Sequence, residues 1–451
     1  MGWQSSKGVY KETMISDTRL LKVVWICSFS NPKVREHLPI KKNLFRRILY
    51  IVKGSYFREG SDMAVWNTNA IAEMEKMEGI ELHVICPVRD LARYEVRYVE
   101  NNIHYYFFRE QDSRLSQFLI HQVFYKYSYK FKTNRKYIKS VVNEVIPDVV
   151  HVIGAENPFY SLSLLDVPET IPIILQLQTL LIRLVDVTKD ASQRVDFKYK
   201  GRLETELINK ATYIGTTVKE FQDYIFDSIK PDAKILNISL AMGNIIDLKE
   251  YPKEFDFVYF ANDISKACLE CIEAFLLAWK KRPAIKLNVI GSYSAEYRKK
   301  LDDKIAQYKA TDNVIFEGRL PSHDDVIKQI KKSKFALIPL KMDFVPNTIR
   351  EAMANGLPVV TTITDGTPSL NAKRESVLLS EQGDYQAMAD NMLRLIDNTG
   401  LQKMLRENAA ITESENLNNQ KVIEDYCKAY RACVEYKESL TPIPEELISI
   451  R

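Results

Sequence analysis

The sequence has few cysteines and no long apolar run, and both shortages restrict the class of protein it can represent. Six cysteines in 451 residues are too sparse for a disulfide-stabilised scaffold. No stretch approaches the ~18–20 consecutive apolar residues that a membrane-spanning helix needs. The first 20 residues also lack the apolar segment of a secretion signal. We therefore expect a protein of the reducing cytoplasm.

Several chemical motifs are missing as well. No G-x-G-x-x-G follows any predicted strand, which argues against a dinucleotide oxidoreductase. Cys268 and Cys271 form a C-x-x-C pair, but a zinc site would need a second pair or nearby histidines. We expect these two cysteines to be buried helix residues. No recognised nucleic-acid-binding module accompanies the basic residues of the chain, so we expect no nucleic-acid partner.

Short apolar runs alternate with helical patterns and fall into two blocks along the chain. Predicted strands of the first block are 21–27, 80–86, 148–153, 171–177 and 211–216. Those of the second are 256–260, 285–290, 314–316, 335–339 and 357–361. Predicted helices are 63–77 and 202–210 in the first block, and 267–281, 295–310, 322–332 and 348–354 in the second. Continuous β-branched runs are typical of parallel strands buried on both faces.

This alternation predicts an α/β protein with two Rossmann-like, doubly wound domains that face each other across a cleft. We place the first domain at residues 20–240 and the second at residues 241–417. A helix over residues 418–438 is expected to pack back on the first domain. In doubly wound sheets, ligands bind at the carboxyl ends of the strands, and we expect them in the cleft.

The segment after the predicted strand 335–339 has the features of an anion site. Pro346 and Asn347 open a helix, and proline is favoured in a first helical turn because its missing N–H would be unpaired there. The backbone amides of Asn347, Thr348 and Ile349 then point toward any ligand at the helix tip. Such amides, aligned with the helix dipole, bind phosphate groups. The sequence therefore predicts a diphosphate site at this helix.

Two carboxylates flank the predicted diphosphate site. Asp343 lies in the loop before the helix, and Glu351 lies in its second turn. Each can accept hydrogen bonds from a polyol, which suits the sugar and the ribose of a nucleotide sugar. Lys266 follows the first strand of the second domain and would supply a cation for the diphosphate.

Residues 346–360, Pro-Asn-Thr-Ile-Arg-Glu-Ala-Met-Ala-Asn-Gly-Leu-Pro-Val-Val, resemble the signature of the family-4 retaining glycosyltransferases. Further similar segments follow the order and spacing of that family, at residues 316–320, 365–368, 382–389 and 401–409, and more loosely at 147–152 and 204–216. The resemblance implies the GT-B fold and transfer of a sugar from a nucleoside diphosphate with retention of the anomeric configuration. It also implies that no cofactor and no metal ion is required.

By position in the family's E-x7-E motif, the resemblance assigns donor-sugar contacts to Asp343 and ribose binding to Glu351. Asp343 stands where the family has a longer glutamate. Lys266 matches the family's phosphate-binding lysine. Asn262 lies near the place of a family arginine, and Gly291 is a further candidate donor contact.

Candidate substrate contacts in the first domain come from the same resemblance. His151 matches the first histidine of a His-x-His segment in the family, and Ile153 replaces the second histidine. Glu156 and Gln178 lie near positions that often face the sugar or the acceptor. Gly60 would let a loop pass close to a substrate, although a turn glycine is the simpler explanation.

Two stretches of the first domain, residues 41–58 and 125–139, combine lysines and arginines with aromatic or aliphatic residues. This composition suits an anionic membrane surface or a phosphate-rich partner, and equally an ordinary solvated helix face. The predicted function is transfer of a sugar to a glycan or polyprenyl-phosphate-linked acceptor at the inner face of the cytoplasmic membrane. Bacterial capsule, exopolysaccharide or lipopolysaccharide synthesis is the expected setting. Two alternatives are a non-catalytic nucleotide-sugar-binding subunit and a nucleotide-sugar epimerase of the same fold.

Overall fold

The structure is a computed structural model. It describes residues 19–28, 34, 36–41, 64–110, 131–187, 191–241, 249–261, 267–320, 323–341, 347–364, 366–416 and 418–451. Four of the predicted site residues lie outside these ranges: Gly60, Asn262, Lys266 and Asp343. So does residue 365 of the segment 365–368.

The first sheet contains nine of the described strands. They are β1 (Leu21–Ile26), β2 (Ile80–Val88), β3 (Glu95–Glu100), β4 (Ile103–Arg109), β5 (Val149–Ile153), β6 (Ile173–Gln176), β7 (Tyr213–Gly215), β8 (Ile235–Leu236) and β15 (Ile448–Ser449). Their order is β15-β8-β7-β6-β5-β1-β2-β4-β3. Strand β1 pairs with β2 on one side and with β5 on the other. The direction of winding reverses between β1 and β5, and a doubly wound sheet binds ligands at the carboxyl ends of the strands at such a point.

Helices cover both faces of this sheet. They are α1 (Val65–Met74), α2 (Lys132–Val145), α3 (Pro158–Ser161), α4 (Leu181–Val187), α5 (Ala191–Lys210) and α6 (Lys219–Tyr224). Alternate residues of β1 point to opposite sides: Val23 and Trp25 pack in one apolar core, Val24 and Ile26 in the other. Burial on both faces explains why the strand is apolar at nearly every position.

The second sheet contains six of the described strands, all parallel. They are β9 (Phe255–Phe260), β10 (Leu287–Ile290), β11 (Val314–Gly318), β12 (Ser333–Ile338), β13 (Val359–Thr362) and β14 (Leu378–Ser380). Their order is β11-β10-β9-β12-β13-β14. This is the doubly wound order in which the direction of winding reverses between β9 and β12.

Six described helices accompany and follow the second sheet. They are α7 (Cys268–Lys281), α8 (Ala295–Gln307), α9 (His323–Ile330), α10 (Asn347–Ala354), α11 (Tyr385–Asp397) and α12 (Thr399–Asn416). Cys268 and Cys271 are fully buried in α7 with free thiols, as expected from the sequence. Burial raises the pKa of the Cys268 thiol to about 12. These cysteines are therefore core residues.

The last helix, α13 (Asn419–Ser439), packs on the first sheet. The hydroxyl of Tyr430 accepts a hydrogen bond from Trp25 Nε1 of β1 at 2.9 Å and lies 2.6 Å from His151 Nδ1 of β5. After this helix, β15 pairs antiparallel with β8. The end of the second block of the chain thus completes the core of the first domain.

The fold class predicted from the sequence, two Rossmann-like α/β domains, is confirmed. The first sheet differs from the expectation of a purely parallel sheet, because β3 pairs antiparallel with β4 and β15 pairs antiparallel with β8. Asn101 and Asn102 form the β3–β4 turn with positive φ angles of 49° and 62°, which asparagine tolerates better than most residues. Among the described helices, none is long and apolar enough to cross a membrane.

Candidate active site

Threonines fix the strand ends beside the predicted diphosphate site. Thr362 Oγ1, at the end of β13, accepts from Leu340 N at 2.7 Å and donates to Leu340 O at 2.6 Å. Thr361 Oγ1 donates to Ile338 O at 2.7 Å, and Thr367 Oγ1 donates to Thr362 O at 2.9 Å. The residues after β12 therefore start from a rigid edge. Sequence analysis missed this network, although the cluster of threonines after the strand was visible.

Helix α10 begins at Asn347, as the sequence predicted, and its first residues lie at the carboxyl end of β12. Ile349 is fully buried and packs in the core beneath the sheet edge, so the first turn is held in place. The first amides of any α-helix have no intrahelical acceptor. Asn347, Thr348 and Ile349 thus present their amides at the end of the helix where an anion is stabilised.

Glu351 lies in the second turn of α10, and its side chain is only 13% exposed. His323 Nε2, at the start of α9, lies 3.1 Å from Glu351 Oε1. The two side chains come from helices that follow different strands, β11 and β12, and the fold brings them to the same sheet edge. His323 was not identified from the sequence, because nothing in the local pattern connects it to a residue 28 positions further on. The His323 ring restricts the rotation of the Glu351 carboxylate.

Gly291 follows β10 and touches the end of β9. Its φ is 154°, and a Cβ atom at this position would lie 2.1 Å from the carbonyl oxygen of Ala261. Its amide donates to Gly318 O at 2.9 Å. The three strand ends β9, β10 and β11 are therefore closely joined at this point, and any larger side chain would separate them.

Lys341, a cation that was not identified from the sequence, lies at this edge shortly after β12 ends at Ile338. Its Nζ is 2.7 Å from Glu270 Oε1 in the first turn of α7. The lysine is 51% exposed, whereas Glu270 is 17% exposed. Ala267, the residue before α7, has a φ of 59° and is buried. The first turn of α7 is thus joined to Lys341 by an ion pair that sequence analysis did not predict.

Arg350 of α10 is buried. The carboxylate of Glu413 in α12 provides an opposite charge for it. Burial lowers the pKa of Arg350 to about 10 and raises the pKa of Glu413 to about 8. In both groups the attraction between them opposes the effect of burial. This pair links α10 to α12.

In the first domain, a polar cluster lies after the carboxyl ends of β5 and β6. Glu156 Oε1 accepts from Asn157 Nδ2 at 2.8 Å. With the Gln178 amide oriented to satisfy both neighbours, its Nε2 donates to the same oxygen at 3.1 Å and its Oε1 accepts from Trp66 Nε1 of α1 at 3.2 Å. Burial raises the pKa of Glu156 to about 7. Glu156 and Gln178, predicted separately from the sequence, are therefore in contact.

Gly154 makes this cluster possible. Its φ is 96°, and a Cβ atom would lie 2.7 Å from both Glu156 Oε1 and the hydroxyl of Tyr160. A second acid, Glu204 of α5, is buried nearby, and its Oε2 accepts from Ile182 N at 3.3 Å. Burial raises its pKa to about 8, and the charge of Glu156 raises it further. Sequence analysis missed Glu204, since an acid within a helix is usually exposed.

His151 is completely buried in the middle of β5 under α13. Its ring meets those of Trp25 and Tyr426 edge-on, at centroid distances of 6.1 Å and 5.0 Å. Burial lowers its pKa to about 3, so the ring is neutral at physiological pH. These contacts are those of a core residue that holds α13 on the sheet, and they leave no surface for the substrate contact proposed from the sequence.

The described residues therefore contain two polar groupings, one at the carboxyl edge of each sheet. Glu351, Asn347, Thr348, Ile349 and Gly291 all lie at the edge of the second sheet. Glu156 and Gln178 lie at the edge of the first.

Comparison with known proteins finds similarity to a known family in the second half of the chain. The sequence model of the family described as glycosyl transferases group 1 matches residues 247–412, which include both α10 and the strand ends around it. A putative colanic acid biosynthesis glycosyltransferase, WcaL, of Salmonella typhimurium is 29% identical over 130 residues, or 27% of this chain and 31% of that protein. The curated relatives match over 30–40% of their own length.

Solved structures share the fold over nearly the whole chain. Sucrose-phosphate synthase from Thermosynechococcus elongatus superimposes with a TM-score of 0.63 at 15% identity, covering 91% of this chain and 98% of that one. A trehalose-6-phosphate protein from E. coli, bound with UDP-2-fluoro glucose, gives a TM-score of 0.60 at 10% identity and covers 91% and 99%. At these identities the similarity establishes the two-domain fold.

Proposed function

We propose that this chain, whose residues 247–412 match the family described as glycosyl transferases group 1, transfers a sugar from a nucleoside diphosphate to a glycan or lipid-linked acceptor with retention of configuration. One observation carries the proposal. Glu351, an acid only 13% exposed, lies beside the first turn of α10 with its carboxylate 3.1 Å from His323. A carboxylate next to free helix amides suits a ligand that combines a polyol with an anion, as a nucleotide sugar does.

In the proposed donor complex, the diphosphate lies at the tip of α10, where the amides of Asn347, Thr348 and Ile349 donate to its oxygens. Glu351 accepts from the ribose hydroxyls, with His323 limiting its rotation. The backbone at Gly291 allows the nucleotide to lie close to the ends of β9 and β10. As the bond to the anomeric carbon breaks, charge grows on the diphosphate, and donors fixed in advance stabilise that charge.

By resemblance to the family, Lys266 adds a cation for the diphosphate and Asp343 holds the donor sugar, with Asn262 nearby. Lys341, at the same edge, is a second source of positive charge. The acceptor hydroxyl attacks from the face that the leaving group vacates, and the departing diphosphate takes its proton. Retention then needs no enzymic nucleophile and no metal ion.

On the acceptor side, we assign the Glu156–Gln178 cluster to the incoming hydroxyl or its neighbouring sugar. Glu156 is close to half protonated at neutral pH, because burial raises its pKa to about 7. Such a carboxyl group can both donate to and accept from a polyol. Gly60, which would let a loop pass close to a substrate, remains a candidate for the same substrate.

Contact with a membrane surface is supported by the described part of the second basic stretch. Lys132, Lys136 and Lys139 are exposed on α2 at spacings of four and three residues, which places them on one face. Tyr137, in contrast, is buried and donates to Glu95 Oε2 at 2.7 Å, so it does not belong to that surface. A polyprenyl-phosphate acceptor would be presented at such a surface. The relatives in colanic acid biosynthesis favour a bacterial surface polysaccharide pathway.

The donor assignment is tested by slow donor hydrolysis with a panel of UDP-, GDP- and ADP-sugars, beginning with UDP-glucose. Wild type should release free nucleoside diphosphate from one member of the panel. Glu351→Gln should weaken binding of that nucleotide about 10–100-fold, the effect of losing a charged hydrogen bond, whereas Glu407→Gln on the exposed face of α12 should not. Equal hydrolysis by wild type and Glu351→Gln would overturn the assignment.

The same assay distinguishes the alternatives. A non-catalytic subunit would bind a nucleotide sugar without hydrolysing or transferring it. An epimerase would release an isomerised nucleotide sugar without an acceptor. Retention is tested by NMR of the product, in which the anomeric configuration of the transferred sugar should match that of the donor.

Flotation with vesicles of phosphatidylglycerol and phosphatidylcholine tests the membrane contact. The triple change of Lys132, Lys136 and Lys139 to Gln should reduce the bound fraction. A matched change of exposed lysines in the second domain, Lys299, Lys300 and Lys403, should leave it unchanged. Equal flotation of wild type and the α2 variant would remove this part of the proposal.

A further inference from the structure

A compact cluster of potential metal ligands lies outside the candidate active site, on two neighbouring strands of the first sheet. Glu81 and His83 lie on β2, and His104 lies on β4 directly opposite His83 in the strand register. One ligand atom from each of the three side chains lies within 4.8 Å of the other two. Among the described residues, this is the one group of three histidine, cysteine or acidic side chains that comes this close together.

The strand geometry explains why these side chains meet. Residues two apart on a strand point to the same face, so Glu81 and His83 share one side of β2. Residues opposite each other on adjacent strands have Cβ atoms ~4.5–5.5 Å apart. The rings of His83 and His104 are stacked with centroids 4.5 Å apart and an angle of 19° between their planes. The cluster is therefore set by the backbone and does not depend on a chance encounter of long side chains.

We propose that Glu81, His83 and His104 bind one divalent transition-metal ion of the zinc class. Two histidines and one carboxylate are a common ligand set for zinc, with a water molecule in the fourth position. Glu81 Oε1 and His83 Nε2 are 2.9 Å apart. Two ligands of one tetrahedral zinc ion lie about 3.3 Å apart, given metal–ligand distances of ~2.0–2.1 Å, so a small outward rotation of Glu81 suffices for this pair. Binding would also turn the His104 ring out of its stack on His83, because an ion lies in the plane of each imidazole that holds it.

A second contact orients His83 in the way that metal sites require. Its other ring nitrogen, Nδ1, lies 3.2 Å from the hydroxyl of Tyr106, the residue two positions after His104 on β4. Metal-bound histidines usually make such a hydrogen bond through the nitrogen that does not bind the metal. His83 is only 4% exposed, whereas Glu81 and His104 are half-buried. An ion would thus have an inner ligand already fixed and an open side for entry.

The charges around the cluster determine which ion it can hold. Lys22 on β1 lies close enough to disfavour a positive charge on His83, and Glu81 offsets it. Arg97 lies 5.2 Å from the ring centre of Tyr106 and donates two hydrogen bonds to Glu144 at the end of α2. One carboxylate and two imidazole nitrogens as ligands favour Zn²⁺, Cu²⁺ or Ni²⁺ over Mg²⁺ and Ca²⁺, which prefer oxygen ligands.

The cluster lies near the amino end of the sheet, where Glu81 is level with Lys22 and His83 with Val24. The ligand-binding edge of a doubly wound sheet is the opposite one. The ion would therefore join β2 to the β3–β4 hairpin and stabilise the fold. It would not take part in sugar transfer.

The experiment uses the full chain without an affinity tag, first treated with EDTA and then dialysed. Titration with ZnCl₂ by calorimetry should give one site per chain, and Co²⁺ should give the visible absorption bands of a tetrahedral complex. Zn²⁺ at 100 times its Kd should raise Tm by roughly 3–5 °C. Mg²⁺ at the same concentration should produce neither effect.

Two variants of half-buried ligands, His104→Gln and Glu81→Gln, should each weaken Zn²⁺ binding by more than about 100-fold and abolish the Tm shift. Tyr106→Phe should weaken it about 10-fold, the usual effect of losing an outer hydrogen bond. His37→Gln, which changes a histidine that is 48% exposed elsewhere on the same domain, is the matched control and should bind like wild type. Absence of a 1:1 site in wild type, or full binding by His104→Gln with an unchanged circular dichroism spectrum, would overturn the proposal.

Discussion

Replacement of Glu156 by Gln should stabilise the protein much more at pH 8 than at pH 5. Burial raises the pKa of Glu156 to about 7 from an ordinary value near 4.5. The folded state therefore holds the proton more tightly than the unfolded state. The contribution of Glu156 to the free energy of unfolding is fully present below about pH 4.5 and is lost as the pH rises toward 7 and beyond. Gln carries no charge, so the variant lacks this dependence.

The size of the effect follows from the shift in pKa. A difference of about 2.5 units corresponds to roughly 3.4 kcal/mol once the pH is well above 7. About 0.8 kcal/mol of this is already lost at pH 5, which leaves a loss of about 2–3 kcal/mol between pH 5 and pH 8. Gln is suited to the site because Asn157 and Gln178 both donate to Glu156 Oε1, and the amide oxygen of Gln can accept from both.

The assay is urea unfolding of wild type and Glu156→Gln at pH 5, 6, 7 and 8, with Glu78→Gln, a change of an exposed acid, as the control. The stability difference between Glu156→Gln and wild type should grow by about 2–3 kcal/mol over this range. Glu78→Gln should follow wild type at every pH. Parallel curves for Glu156→Gln and wild type would refute the reasoning. They would show that the carboxyl group is ionised in the fold at no cost.

Two further substitutions test the packing around the sites. Gly154→Ala should lower the free energy of unfolding by more than about 1 kcal/mol. The φ of 96° is strained for alanine, and the new Cβ would lie 2.7 Å from the Tyr160 hydroxyl. Guanidinium unfolding measures this, and a neutral result would contradict the close contact. Tyr430→Phe should cost about 1–3 kcal/mol for each partner left without its hydrogen bond, and these partners are Trp25 and His151. Unchanged stability would count against the described packing of α13.

The sequence predicted the parallel strands well because they are buried on both faces and carry continuous apolar runs. It did not predict β3 and β4. The β3 sequence Glu95–Glu100 alternates between exposed and half-buried residues at the sheet edge. Its polar residues interrupt the apolar run by which the other strands were predicted. The Asn101–Asn102 turn was the available signal, since asparagine is favoured where φ is positive.

The candidate donor site was predictable where its residues are neighbours in sequence. Glu351 and the first turn of α10 lie within five positions of one another, so a short motif contains them. His323 and Lys341 reach the same edge from other loops, and only the sheet order brings them there. For His151, the sequence contained no sign that a helix some 280 positions later would cover it, and a resemblance in the strand suggested a substrate contact instead.

The packing of α13 makes the first domain discontinuous along the chain. Trp25 and its partner Tyr430 are 405 positions apart, and β8 receives its edge strand from residues 448 and 449. During synthesis on the ribosome, the first sheet emerges long before the residues that complete its core. Until then, the apolar surface around Trp25 and Val23 has no permanent cover, and contacts of such long separation form slowly. The nascent chain therefore presents a surface on which chaperones can act, and a premature stop anywhere before α13 would damage the domain that was made first.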